Sequence, residues 1–182
     1  ISDAAAAALV PAAGAAGAPN LSALSVVRAR LSPAAVRTIV ATDWRLDELD
    51  LSGTALGADG CAALLAAPSL ALRVLRLVEC DLDAVSFLAL ANAPWPLEEL
   101  DVSYNVELDA PGAALVALSK KPRMRALGIP CSLTAASFEA LAEASWPALV
   151  HLDARCAEAR FEGPDALGAA AFAGFPALEE LD

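Results

Sequence analysis

The chain has 182 residues, of which 46 are Ala and 30 are Leu; 58% are hydrophobic, yet only 5% are aromatic. A net charge of −11 excludes a basic nucleic-acid-binding domain, and the abundance of Leu excludes a disordered acidic tail. Four cysteines are too sparse for a disulfide scaffold, while the length suits one domain with a sizeable core.

Residues 1–20 form an Ala/Pro/Gly-rich lead, read as a short helix and loose linker or as a degenerate half-repeat. The uncharged stretch from Ala4 to Val27 is long enough to cross a bilayer. Pro11, Gly14, Gly17, Pro19 and Asn20 interrupt it, so no membrane span is expected. No basic residue precedes the apolar run, which argues against a signal peptide.

From residue 21 onward the chain repeats. Apolar residues at positions one, four and six of each unit read Leu21/Leu24/Val26, Leu46/Leu49/Leu51, Leu72/Leu75/Leu77, Leu97/Leu100/Val102, Met124/Leu127/Ile129 and Leu149/Leu152/Ala154, with a partial copy at Leu178/Leu181. The starts are separated by 25, 26, 25, 27, 25 and 29 residues. Such a period is the mark of a solenoid. The first half of a unit alternates apolar and polar residues, as a short strand does. The second half, such as Leu56 to Leu65, is rich in helix formers. Pro68, Pro94, Pro96, Pro122, Pro147 and Pro176 follow these segments and stop them. The expectation is an α/β solenoid of about six and a half repeats, with parallel strands on the concave face and α-helices on the convex face. Residues 21–182 form this domain, and the array is expected to continue past residue 182, because free solenoids need polar capping units.

The best unit, Leu46-Asp-Glu-Leu-Asp-Leu-Ser-Gly-Thr-Ala-Leu56, continues as Gly57-Ala-Asp-Gly60-Cys-Ala-Ala-Leu64. It resembles leucine-rich repeats of the ribonuclease-inhibitor-like and GALA types, and the 25-residue period with cysteines is similar to the repeats of F-box proteins. The resemblance implies that position nine (Thr54, Cys80, Asn105) bonds the turning backbone. Cys131 and Cys156 are expected to take the same place in later units. The alternatives for these cysteines are a metal site or a disulfide between neighbouring units. No CxxC pair exists and His151 is the only histidine, so no metal or cofactor is expected.

Trp44, Trp95 and Trp146 each precede a strand, with Phe175 in the equivalent place. They are expected to pack inside the coil, as are Phe87 and Phe138. Positions two, three, five, seven and eight point outward from the strands. Position two reads Ser22, Asp47, Arg73, Glu98, Arg125, Val150, Glu179, and position five reads Ser25, Asp50, Arg76, Asp101, Gly128, Asp153, Asp182. Neighbouring strands lie about 4.8 Å apart. Arg73 is thus expected between Asp47 and Glu98, and Arg76 between Asp50 and Asp101, in a cross-strand ladder of opposite charges. The ladder is less self-neutralising toward the C-terminal half. Glu99, Asp101, Tyr104, Arg125, His151, Asp153 and Arg155 are the candidate protein-binding residues there, since Tyr and Arg are frequent interface anchors. Lys120, Lys121, Arg123 and Arg125 form the one basic run. The two lysines suit a helix C-terminus, with docking of an anion or acidic partner as the alternative.

The inventory lacks a Walker-type phosphate loop and a Gly-x-Ser-x-Gly elbow, and nothing marks a nucleophile for His151. The expected function is therefore a non-enzymatic protein-interaction scaffold. The alternatives are a structural subunit of a larger, possibly organellar, assembly and the recognition arm of an F-box ubiquitin ligase, for which residues 1–20 are too short to supply the F-box. Buried thiols fit a reducing, intracellular compartment.

Overall fold

The computed structural model describes residues 3–4, 21–42, 44–67, 70–105, 111–130, 134–154 and 174–181. The expectations placed on Cys131, Arg155, Cys156, Asp182, Pro68, the Phe138 side chain and most of the 1–20 lead lie outside these residues. Seven short strands, β1 (Ala23–Ser25), β2 (Glu48–Asp50), β3 (Val74–Arg76), β4 (Glu99–Asp101), β5 (Ala126–Gly128), β6 (His151–Asp153) and β7 (Glu180–Leu181), form one parallel sheet in sequence order. Among the described residues, five helices lie between them: α1 (Pro33–Val40), α2 (Gly57–Leu65), α3 (Ala84–Asn92), α4 (Gly112–Ser119) and α5 (Ala135–Glu143). Each strand and each helix packs against its neighbour in the sequence, as a solenoid requires.

The register follows the leucine frame. Leu24, Leu49, Leu75, Leu100, Leu127, Leu152 and Leu181, all at position four, are paired across the sheet. From β2 to β6 these leucines are buried, as are Leu46, Leu51, Leu72, Leu77, Leu97, Val102, Met124 and Ile129 at positions one and six. Burying one such side chain stabilises by about 1.5–3 kcal/mol, so a one-residue slip would cost the whole row.

The backbone ladder repeats with the same fidelity. The position-two carbonyl accepts from the position-two and position-three amides of the next unit, as at Asp47, which receives Arg73 N at 2.8 Å and Val74 N at 3.0 Å. Past the strand, the chain turns through a left-handed residue at position eight: φ is 52° at Arg28, 70° at Gly53, 55° at Glu79 and 59° at Tyr104. Only the second unit supplies the glycine that this conformation favours. Three of the described helices, α1, α3 and α5, begin where short polar side chains satisfy a free amide, whereas α2 and α4 have no side-chain cap. Ser32 Oγ accepts from Ala35 N at 3.2 Å, Asp83 Oδ1 from Ser86 N at 2.7 Å and Thr134 Oγ1 from Ser137 N at 3.2 Å. Pro33 opens α1 at a position that needs no N–H. Pro94, Pro122 and Pro147 fall two to four residues beyond α3, α4 and α5, where they were expected.

Candidate functional site

Position nine joins neighbouring units from within. Thr54 Oγ1 donates to Val26 O at 3.5 Å, Cys80 Sγ to Leu51 O at 3.2 Å and Asn105 Nδ2 to Leu77 O at 2.8 Å. Each acceptor is the position-six carbonyl of the preceding unit. Asn105 does more than the other two. Its Oδ1 accepts from Cys80 N at 2.9 Å and Leu82 N at 3.1 Å, and its Nδ2 also donates to Val102 O at 2.8 Å. In the preceding turn the matching amide of Leu56 bonds to Cys80 O instead, so a thiol suffices there. Cys61 and Cys80 are buried free thiols. Burial pushes the Cys61 thiol up to about 12 and the Cys80 thiol up to about 11, which suits inert packing rather than nucleophilic chemistry.

The tryptophans are packing residues. Trp44, Trp95 and Trp146 are 8%, 5% and 1% exposed. Trp146 stacks on Phe175 with centroids 6.1 Å apart and donates its Nε1–H to Leu141 O at 2.9 Å. Phe87 is fully buried.

On the strand face the charges pair differently from a simple alternation. Arg73 grips Glu98 with both ends of its fork, Nε to Oε1 at 3.0 Å and Nη2 to Oε2 at 2.8 Å. That hydrogen-bonded pair holds the Glu98 carboxyl below its ordinary range. Arg76, expected between Asp50 and Asp101, instead reaches Glu99 at position three, 2.6 Å away. The physical reason is local. Asp50 Oδ1 accepts from Ser52 N and Asp101 Oδ1 from Ser103 N, each at 3.0 Å. These aspartates are turned toward the tightening backbone two residues on, so the arginine swings to the diagonal acid.

The candidate patch takes shape around β4, β5 and β6. Glu99 and Asp101 stand on β4, and His151 and Asp153 on β6. Between them β5 presents only Ala126 and Gly128. A Cβ at Gly128 would collide with Asp101 Oδ1 and Ser103 Oγ, so the close lean of Asp101 across β5 requires glycine. Ser103 Oγ is buried without a hydrogen-bond partner. Its counterpart Ser52 Oγ accepts from Val78 N at 3.3 Å; one unit further along from Ser103 the equivalent residue is Pro130, which has no N–H to give. Tyr104 is 57% exposed at the rim, raised there by its left-handed backbone. Arg125 precedes β5 at position two, and His151 Nδ1 meets Glu180 Oε2 at 2.8 Å. The structure thus brings six candidates onto one face: Glu99, Asp101, Tyr104, Arg125, His151 and Asp153. Glu180 was missed as a patch residue, although the register one unit beyond His151 marks it.

The basic run divides. Lys121 Nζ donates to Ala93 O at 2.7 Å and Trp95 O at 3.3 Å. It therefore serves the C-terminus of α3, the helix of the preceding unit, rather than its own α4. Desolvation draws the Lys121 ammonium below its ordinary range. Arg123 and Arg125 remain exposed on the strand side.

No family model matches the chain. It is similar to the ribonuclease inhibitor of Mus musculus, 42% identical over 109 residues that make up 54% of this chain and 24% of that protein. The chain spans about a quarter of the length of that relative. The likeness joins the 25-residue frame, the parallel sheet in sequence order and the position-nine ladder. This is a leucine-rich repeat array. The strands form one continuous face and the helices lie between them along the chain. Among the described residues no helix is long and apolar enough to cross a membrane.

Proposed function

We propose that this array is a non-enzymatic scaffold that binds a protein partner on the concave strand face, with Glu99, Asp101, Tyr104, Arg125, His151 and Asp153 as contact residues and Arg155 as a further contact. The observation that carries the reading is the strand face itself. Three units place carboxylates, a histidine and an exposed Tyr104 on adjacent strands, on either side of the small residues Ala126 and Gly128. Large exposed aromatics beside charged groups are typical anchors of interfaces. The relative named as an inhibitor of a ribonuclease supports a protein partner. The test is photocrosslinking in extract of the native source. A benzophenone amino acid replaces Tyr104 or Asp153 on the strand face, or Val85 or Val116 on the helix face. Discrete protein adducts from the strand positions alone are expected; adducts from none of them would refute the proposal.

One observation favours a second reading, that of a structural subunit in a larger assembly. Val85, Leu88 and Val116 on α3 and α4 are 77%, 37% and 39% exposed. Adducts confined to these helix positions would support it instead.

A further inference from the structure

Position two runs as a lane along the N-terminal ends of the strands. It contains two arginines, Arg73 and Arg125, on either side of Glu98. An even sharing of that carboxylate would neutralise part of each. The geometry gives Glu98 to Arg73 alone, because both carboxylate oxygens accept from the Arg73 fork at 3.0 and 2.8 Å. On its other side Arg125 meets Val150, which has no charge to offer. Arg123 lies two residues earlier, with Met124 between them buried in the core, so the two arginines emerge on the same side. Neither Arg123 nor Arg125 takes part in an ion pair among the described residues. Lys121, the other cation nearby, is committed to the carbonyls of Ala93 and Trp95.

Arg123 and Arg125 line an open depression of about 380 Å³, together with Glu98, Ala148 and Val150. The carboxylate in that lining, Glu98, already gives both oxygens to the Arg73 fork, so the two guanidiniums and the small apolar wall beside them form a cationic opening on a chain of net charge −11. We propose that this depression is a docking subsite for an acidic segment of a protein partner, with a carboxylate held between Arg123 and Arg125 and an adjoining apolar side chain against Ala148 and Val150. The inference rests on the scaffold reading above and adds the chemistry of one contact. Guanidinium forks match carboxylates in plane and spacing. Val150 stands in the row where an acid would compete for Arg125, and both Glu98 oxygens are turned to the Arg73 fork.

The test uses the 182-residue chain and a blocked peptide of alternating Leu and Glu, followed by NMR of the arginine Nε–Hε signals. Saturable shifts at Arg123 and Arg125 and at the Val150 amide are expected. Replacing Glu by Gln in the peptide should abolish them. The R123Q/R125Q variant should weaken the peptide at least tenfold with its thermal midpoint unchanged, whereas K120Q should stay within twofold. The inference is overturned by shifts that do not saturate, by equal binding of the Gln peptide, or by unchanged affinity in the double variant. It is equally overturned if inorganic phosphate displaces the peptide at matching concentration, since the depression is then only a small-anion site. Intact crosslinking from Tyr104 or Asp153 in the R123Q/R125Q variant, with no peptide binding by the wild type, would sink this subsite and leave the scaffold reading standing. Loss of crosslinks from every strand position would sink the scaffold reading by itself.

Discussion

Asn105 is the side chain whose removal should cost the most for its size. It is 1% exposed and holds two units together through Cys80 N, Leu82 N and Leu77 O, while bracing its own turn at Val102 O. Asn105→Ala leaves two buried donors and at least one carbonyl unmatched. An orphaned buried group costs about 1–3 kcal/mol, and water cannot replace the amide without room and several polar partners. Taking the low half of that range, about 1–2 kcal/mol, for three groups predicts a loss of about 3–6 kcal/mol, a large share of a domain stability of about 5–15 kcal/mol. Asn105→Cys restores the donor to Leu77 O, as Cys80 does toward Leu51 O, but not the acceptor, so it should recover only part of the loss. Urea unfolding gives the totals. Hydrogen exchange locates them, because the Cys80 and Leu82 amides should lose protection first. A loss below about 1 kcal/mol for Asn105→Ala, with both amides still protected, would refute the view that this side chain fastens the units.

Other substitutions probe separate links. Gly53→Ala places a Cβ 2.7 Å from Arg28 Cγ at φ 70° and should cost about 1–2 kcal/mol in urea unfolding. Asp83 caps α3 through Ser86 N, and hydrogen bonding from the Ser86 side chain, then from its amide, lowers the Asp83 pKa. Its contribution is therefore full above the ordinary carboxylate value and lost as pH falls through the lowered one. Asp83→Asn should keep the cap at pH 7 to within about 0.5 kcal/mol and show a shallower loss of stability below pH 4. With thiols near 12 and 11, Cys61 and Cys80 should resist iodoacetamide at pH 8 in the folded chain and react once unfolded in urea, as peptide mass mapping would show. Arg76→Ala and Glu99→Ala should couple by under about 1 kcal/mol in a double-mutant cycle, because the pair is partly exposed.

The fold was legible because its determinants are local and repeated. Leu49 alone is ambiguous between strand and helix. Leucines three and five residues beyond a fixed start, renewed about every 25 residues, are not. The same frame placed Cys80 and Asn105 in the turn, where the structure finds their bonds to Leu51 O and Leu77 O. What the frame did not reveal is the left-handed turn at Arg28, Glu79 and Tyr104. Only Gly53 advertises that conformation, and the non-glycine residues accept it because the surrounding ladder fixes their amides: Arg28 N bonds to Ser52 O at 2.7 Å and Glu79 N to Ser103 O at 3.1 Å.

The candidate site was legible by residue but not by pairing. Sequence spacing assigns each charge to a row and a strand; it does not say which of several acids within reach an arginine will take. Asp50 and Asp101 stand closest to Arg76 in the register, yet each directs an oxygen to its own turn. Arg76 then takes Glu99, and Arg73 takes all of Glu98. These choices depend on side-chain reach and on backbone amides two residues away, which a row of letters does not contain. Their consequence is functional. With Glu98 given to Arg73, no ion pair among the described residues occupies Arg123 or Arg125, which is what the docking proposal requires. The division of the carboxylates between the turns and the strands therefore decides how open the depression at Arg123 and Arg125 is to an acidic partner.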